Sequence, residues 1–157
     1  MLKKIENLEE LRTRAFEHCN QFVVDRLNRI QFQIKELEEA LTSETKSSAG
    51  DKHETGRAMI QLEREKLGRQ LAEQERTQQV LTKVPQNPNP ETIGIGNLVV
   101  TDAFLYYIAI SAGQCKAQGQ SVFCISGATP IGQLLNGKAV GENIEFKGTT
   151  TSILAIH

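Results

Sequence analysis

The sequence predicts an α+β protein in two parts: an N-terminal antiparallel α-helical coiled-coil hairpin, then a small C-terminal β-sheet domain with one short helix. Three observations predict it. Residues 1–90 hold 15 of the 19 acidic and 15 of the 18 basic residues, so the last 67 residues are nearly uncharged and are built on a different principle. Apolar residues in the first part recur at helical spacing, whereas the second part holds short runs rich in β-branched and aromatic residues. Between them, "KVPQNPNPE" places three of the four prolines within six residues.

The first helix is read from Leu8, Leu11, Ala15, Cys19, Val23, Leu27, Ile30, Ile34, Leu37 and Leu41, which form one stripe of threes and fours. No Pro or Gly interrupts residues 1–49, which allows a helix of roughly 40 residues, about 60 Å long. A charged rod with one apolar stripe needs a partner. The next segment supplies it, with Met59, Ile60, Leu62, Leu67, Leu71 and Leu81 as its apolar positions and Gln74 and Gln78 where the stripe would otherwise continue. Gly56 and Gly68 weaken this second helix by roughly 1 kcal/mol each against alanine. A short connection makes the two helices antiparallel neighbours; pairing between chains into a longer coiled coil is the alternative. The expected domains are a hairpin over 1–84 with its tip near 43–54, a Pro-rich linker over 85–91, and a sheet domain over 92–157.

In the last part "IGNLVVTD", "FLYYIAIS", "SVFCIS", "NIEFKG" and "TSILAIH" read as strands of a small antiparallel sheet. "ATPIGQLLNGK" breaks that pattern: Thr129 caps, Pro130 suits the first helical position, Ile131, Leu134 and Leu135 share a face, and Gly137 ends the helix. The expected order is three strands, the short helix, then two strands, with the sheet wrapped around the helix. Such a small domain is only marginally stable alone.

Net charge is -1, and zero over residues 1–90, which argues against non-specific attraction to a phosphate backbone. Cys19, Cys115 and Cys124 have no metal-type spacing, and their odd number fits a reducing compartment. Cys115 reads as a loop thiol and Cys124 as a core strand residue. The start lacks an apolar signal core and "FLYYIAI" is far too short to span a membrane, so the expectation is a cytoplasmic, monomeric protein without a membrane partner.

"SSAGDKHETGRAM", residues 47–59, lies where the hairpin turns and sets Asp51 three residues before Glu54. One reading is a capping box, in which Asp51 accepts a backbone N–H of the second helix and Glu54 reaches back. The other is a pair of hard oxygen ligands at the end of a rod, suited to a hydrated Mg²⁺ whose remaining sites go to water and phosphate. Such an ion, delivered to a site already holding a metal, serves two-metal phosphodiester cleavage.

"GDKHETGRAM" followed by "QLEREKLGRQLAE" resembles the coiled-coil tip and second helix of the Gre transcript-cleavage factors of bacterial RNA polymerase, whose tip carries Gly-Asp-x-x-Glu. "TPIGQLLNGKAVGENIEF" is similar to their C-terminal domain, where a Ser-Pro-Ile-type helix start leads to a Gly-Lys-x-Val-Gly-Asp turn and a strand. The resemblance implies a hairpin inserted through the polymerase secondary channel and an FKBP-like C-terminal domain docked at the rim, with Thr129, Pro130 and Ile131 as docking candidates. It implies that Asp51 and Glu54 help hold Mg²⁺ shared with the polymerase active site, which then cleaves the backtracked RNA 3′ end. The protein is then a cofactor of an enzyme rather than an enzyme itself, one that meets the nascent RNA through polymerase and whose contact with DNA is left open.

Lys46, Lys52, His53 and Arg57 are the RNA-proximal candidates, against the reading that they form a solvated charged face. The same holds for Arg64, Lys66, Arg69 and Arg76, interspersed with Glu63, Glu65, Glu73 and Glu75. The chain departs from the family at Glu54-Thr55-Gly56-Arg57-Ala58, where the family continues Glu-Asn-x-Glu-Tyr, and "SAGQCKAQGQ" lacks the family's acidic residues before the third strand. The first helix is also longer before the tip. Three rival functions follow: a channel-binding regulator or inhibitor without cleavage, a coiled-coil adaptor, and a prolyl isomerase using Phe104, Tyr106, Tyr107, Phe123 and Phe146.

Overall fold

The computed structural model describes residues 7–46 and 51–157, with side chains given outside 44–46 and 51–53. The element order is α1 (Leu8–Lys46), α2 (Asp51–Thr82), β1 (Leu98–Thr101), β2 (Leu105–Ala109), β3 (Gly113–Ala117), β4 (Gln120–Ser126), α3 (Pro130–Leu135), β5 (Asn143–Phe146) and β6 (Thr149–Ile156). The fold is α+β, a helical hairpin followed by a six-stranded mixed sheet with one short helix. By its contacts the chain forms two units, one of residues up to Phe22 with Gln79–His157 and the other of Val23–Gln78.

In the Val23–Gln78 unit, Ile30 and Ile34 of α1 pack against Leu67 of α2, with Leu37 and Leu71 at the margin. The α1 stripe is found as expected: each of its positions is buried or half-buried. The α2 stripe is found in part: Ile60, Leu67, Leu71 and Leu81 are buried or half-buried, as are Gln74 and Gln78 where the stripe is expected to continue, whereas Met59 and Leu62 are each 66% exposed. The position between Ile60 and Leu67 is taken by Arg64, whose Nε lies 3.5 Å from Glu38 Oε1 across the hairpin. That pair is half exposed and contributes at most about 1 kcal/mol.

In the other unit the strand order is β3-β4-β2-β1-β6-β5. All pairs are antiparallel except β2 with β4, which run parallel with Tyr106 opposite Phe123. This corrects the antiparallel expectation. The cause is β3, a fourth strand ahead of α3 in a segment that reads as loop. From β2 the chain crosses to the edge, forms β3, and returns through Gln118-Gly119, both at positive φ, to lay β4 between β3 and β2. Cys115 is therefore a buried strand residue and not a loop thiol, while Cys124 is a core strand residue as expected. A second X-Gly turn, Lys147-Gly148, also at positive φ, closes β5 onto β6.

Side chains alternate across the sheet. On one face Val99, Tyr106, Ile108, Ile144 and Ile153 form a core with Leu135 of α3, joined by the half-buried Ile131 and Leu134. The opposite face carries Leu98, Leu105, Tyr107, Val122 and Cys124, all at most 2% exposed. The start of α1 covers it: Cys115 Sγ donates to Arg14 O (3.8 Å), His18 Nε2 pairs with Ala112 O (2.8 Å), and Gln118 Nε2 donates to Asn7 O (3.1 Å). The sheet is therefore a middle layer, with α3 on one side and the first turns of α1 on the other, rather than a sheet closed around α3 alone. Continuous burial of "LYYIA" in β2 is the direct consequence.

Candidate functional site

The sequence candidates fall in two places. α2 begins at Asp51, so Asp51 and Glu54 stand three residues apart on the first turn and share a face of the helix. Glu54 is exposed to solvent. The cluster Ser47-Ser48-Ala49-Gly50 and the side chains of Lys46, Asp51, Lys52 and His53 lie outside the described residues. Arg57, one turn further, is half-buried, and its Nε is enclosed without a hydrogen-bond partner among the described residues. An enclosed guanidinium nitrogen is costly to leave unpaired, so Arg57 differs from the solvated bases further along α2. Arg69 and Arg76 are exposed there.

The other place is α3. Thr129 has extended backbone (φ -68°, ψ 156°) and its hydroxyl accepts from the Gly132 N–H at 3.1 Å while donating to Ser126 O at 2.8 Å. Pro130 follows at the first helical turn and is exposed, whereas Ile131 turns partly into the core. Gly132 is fixed by space: a Cβ there would meet Ser126 O, Thr129 Oγ1 at 2.9 Å and Gly127 Cα at 3.0 Å. The helix thus sits directly on the backbone that leaves β4. The hydroxyl of Thr129 is fully used by the cap, which leaves Pro130 as the most open of the three docking candidates. Thr129→Ala is expected to cost about 1 kcal/mol of stability through the lost cap, read as a lowered denaturant midpoint at unchanged slope.

Shallow clefts open in both units among the described residues. One of about 310 Å³ in the hairpin is lined by Arg26, Arg29, Gln33, Gln70 and Gln74, the polar part of the seam. Two adjoining clefts of about 370 and 260 Å³ share Glu9, Arg12 and Asn87, with Tyr107 at the wall of the larger. Arg12 is already engaged, since its Nη2 donates to Gln86 O at 3.1 Å. Burial raises the phenol of Tyr107 well above its ordinary range, so it stays a neutral hydroxyl at any physiological pH. No group of three or more His, Cys, Asp and Glu among the described residues is placed to hold a metal ion.

The aromatics proposed for an isomerase pocket are divided by the sheet. Phe104, Tyr106 and Phe123 pack on one another with ring centroids 5.4–6.3 Å apart, mostly edge to face. Tyr107 belongs to the other face, under α1, and Phe146 lies on the edge strand beneath Lys147. Sequence reasoning did not single out Asn97, which is 1% exposed and ties the residues before β1 to the end of β6. Nor did it bring Cys115 and Cys124 onto neighbouring strands, because that needs the β3–β4 pairing, or set α1 near them, as the bonds of Arg14 O and His18 do. No described helix is long and apolar enough to cross a membrane. In comparisons with family models, curated proteins and solved structures, no family model, no curated protein and no solved structure matches the chain.

Proposed function

We propose that the protein is a Gre-like factor that binds RNA polymerase in its secondary channel and stimulates cleavage of backtracked RNA by the polymerase active site. The observation that carries this reading is a pair of carboxylate residues on the first turn of α2, with Glu54 open to solvent. The two-helix hairpin followed by a sheet domain, with an α3 that opens Thr129-Pro130-Ile131, supports it by the order of its parts.

The chemistry of the pair suits Mg²⁺: two carboxylate residues three positions apart on the first turn of α2 are a partial set of hard oxygen ligands that would leave sites for water and phosphate. When bound in the polymerase site, the ion supplies water activation and leaving-group stabilisation. Asp51 and Glu54 would hold and position it, their carboxylates standing at the positive end of the α2 dipole. Lys46, Lys52, His53 and Arg57 face RNA, Thr129, Pro130 and Ile131 meet the channel rim, and the protein itself is a monomeric cytoplasmic cofactor. On this reading the capping role of the pair is secondary.

The test uses bacterial RNA polymerase halted in a backtracked complex with 3′-labelled RNA and Mg²⁺. The native protein is expected to release short 3′ fragments. Asp51→Ala and Glu54→Ala bind the complex equally well and cleave at least about tenfold more slowly, equivalent to ~1.4 kcal/mol. Binding without fragments makes the protein a channel-blocking regulator, the outcome that Arg57 in place of an acidic residue favours. Absence of binding sinks the family reading.

A further inference from the structure

Three thiols distant in sequence meet on the face of the sheet that α1 covers. Cys115 and Cys124 lie on the paired strands β3 and β4, two positions out of direct register, since Gly113 faces Cys124 and Cys115 faces Val122. Both point to the same side, where Cys19 of α1 comes down on them. All three are free and buried. The segment of α1 that carries Cys19 is pinned on either side of it, by the Cys115 thiol on Arg14 O and by His18 on Ala112 O, while the Ala112 N–H donates to Cys124 O at 3.1 Å.

Within this cluster Cys19 and Cys124 act on each other more strongly than on any other group. The Cys124 thiol hydrogen-bonds to Cys19, and the Ile110 N–H donates to Cys19 as well. Those donors hold the Cys19 thiol below its ordinary range, although burial opposes them. The same hydrogen bond and burial push Cys124 up, and burial also raises Cys115. Each of the two thiols is therefore the other's main neighbour inside the cluster. Cys115 turns its own S–H to Arg14 O and so stands apart from the pair.

We propose that Cys19 and Cys124 are a redox modification site, forming a reversible disulfide on reaction with a hydroperoxide and so fastening α1 to β4. Cys19 loses its proton to solvent and attacks one peroxide oxygen; the O–O bond breaks, the leaving hydroxide takes a proton from solvent and departs as water, and Cys19 becomes a sulfenic acid. Cys124 then gives its proton to the departing hydroxide, its sulfur bonds to that of Cys19, the S–O bond breaks, and a second water leaves. Two thiols and one hydrogen peroxide give one disulfide and two waters. Reduction by a dithiol restores the pair. Because Cys19 is 0% exposed, the oxidant enters when the first turns of α1 open locally, so the reaction is slow and is followed by ring closure before over-oxidation.

The experiment treats the full-length native chain with excess hydrogen peroxide, quenches it, blocks remaining thiols after denaturation, and maps peptides by mass without reduction. Expected are a single Cys19–Cys124 cross-linked peptide two hydrogens lighter than its parts, an alkylated Cys115, and full reversal by dithiothreitol. The oxidised form melts at a higher temperature, since the bridge constrains the unfolded chain, and dithiothreitol abolishes that gain. Cys115→Ser leaves the cross-link unchanged. Recovery of Cys19 as sulfinic or sulfonic acid overturns the proposal. So does a cross-link through Cys115, or three free thiols after a treatment that oxidises the denatured chain.

Discussion

Leu11→Ala is expected to lower stability by about 2–5 kcal/mol, whereas Leu62→Ala is expected to change it by less than about 0.5 kcal/mol. Both leucines belong to apolar stripes of long helices, yet Leu11 is 0% exposed and Leu62 is 66% exposed. The difference lies in what each meets. Leu11 is in the unit that contains the sheet, on the turns of α1 that cover the face of Leu98, Leu105 and Tyr107, so its truncation leaves a cavity in a two-sided core. Leu62 lies on α2 away from the seam and loses little when shortened. Denaturant midpoints at matched slopes decide between them. Equal, small losses would mean that α1 does not close the sheet, and that the small C-terminal core stands on α3 alone.

The same contrast shows what was legible in the sequence. The α1 stripe could be read outright, because its apolar residues keep strict spacing and face protein along the whole helix, first the sheet and then α2. The α2 stripe could be read only in part: Ile60, Leu67, Leu71, Leu81 and the two glutamines Gln74 and Gln78 face protein, but Arg64 occupies a position between them and two conspicuous apolar residues, Met59 and Leu62, are on the outside. Hydrophobicity does not encode the rotation of a helix when polar side chains fill part of the seam. α3 was legible down to its cap, since Thr-Pro followed by Ile and Leu-Leu combines three local signals that agree. β3 was not, since an edge strand with only Cys115 buried needs little apolar content, and "GQCKA" has no β-branched residue. The parallel pairing of β2 and β4 follows from β3, so missing one hid the other. At the candidate site the Asp51–Glu54 spacing and its place on the first turn of α2 were read from sequence alone. The half-buried state of Arg57 was not, because it depends on packing in the hairpin.

Asn97→Leu is expected to cost about 3 kcal/mol, although the two side chains are close in volume. Asn97 Oδ1 accepts from the Gly94 N–H at 2.8 Å, and Nδ2 donates to Asn89 O at 3.0 Å and to His157 O at 3.4 Å. One side chain thus joins the Pro-rich segment, the turn before β1 and the residue after β6. Leucine removes all three bonds; His157 O keeps the Leu98 N–H at 2.9 Å, but the Gly94 N–H and Asn89 O lose their Asn97 partner beside a fully buried position, each at about 1–3 kcal/mol where water cannot replace it. Asn97→Asp separates this account from one based on shape. The carboxylate keeps an acceptor for Gly94 but turns its second oxygen to two carbonyl oxygens, so ionisation is disfavoured in the folded state and the folded pKa lies above the unfolded one. Relative to the native protein, its deficit is therefore largest at neutral pH. It shrinks as pH falls through the raised folded pKa towards the ordinary carboxylate value, where the protonated acid donates in place of the amide. A deficit in Asn97→Asp that does not change with pH would show that the three hydrogen bonds are not what Asn97 contributes.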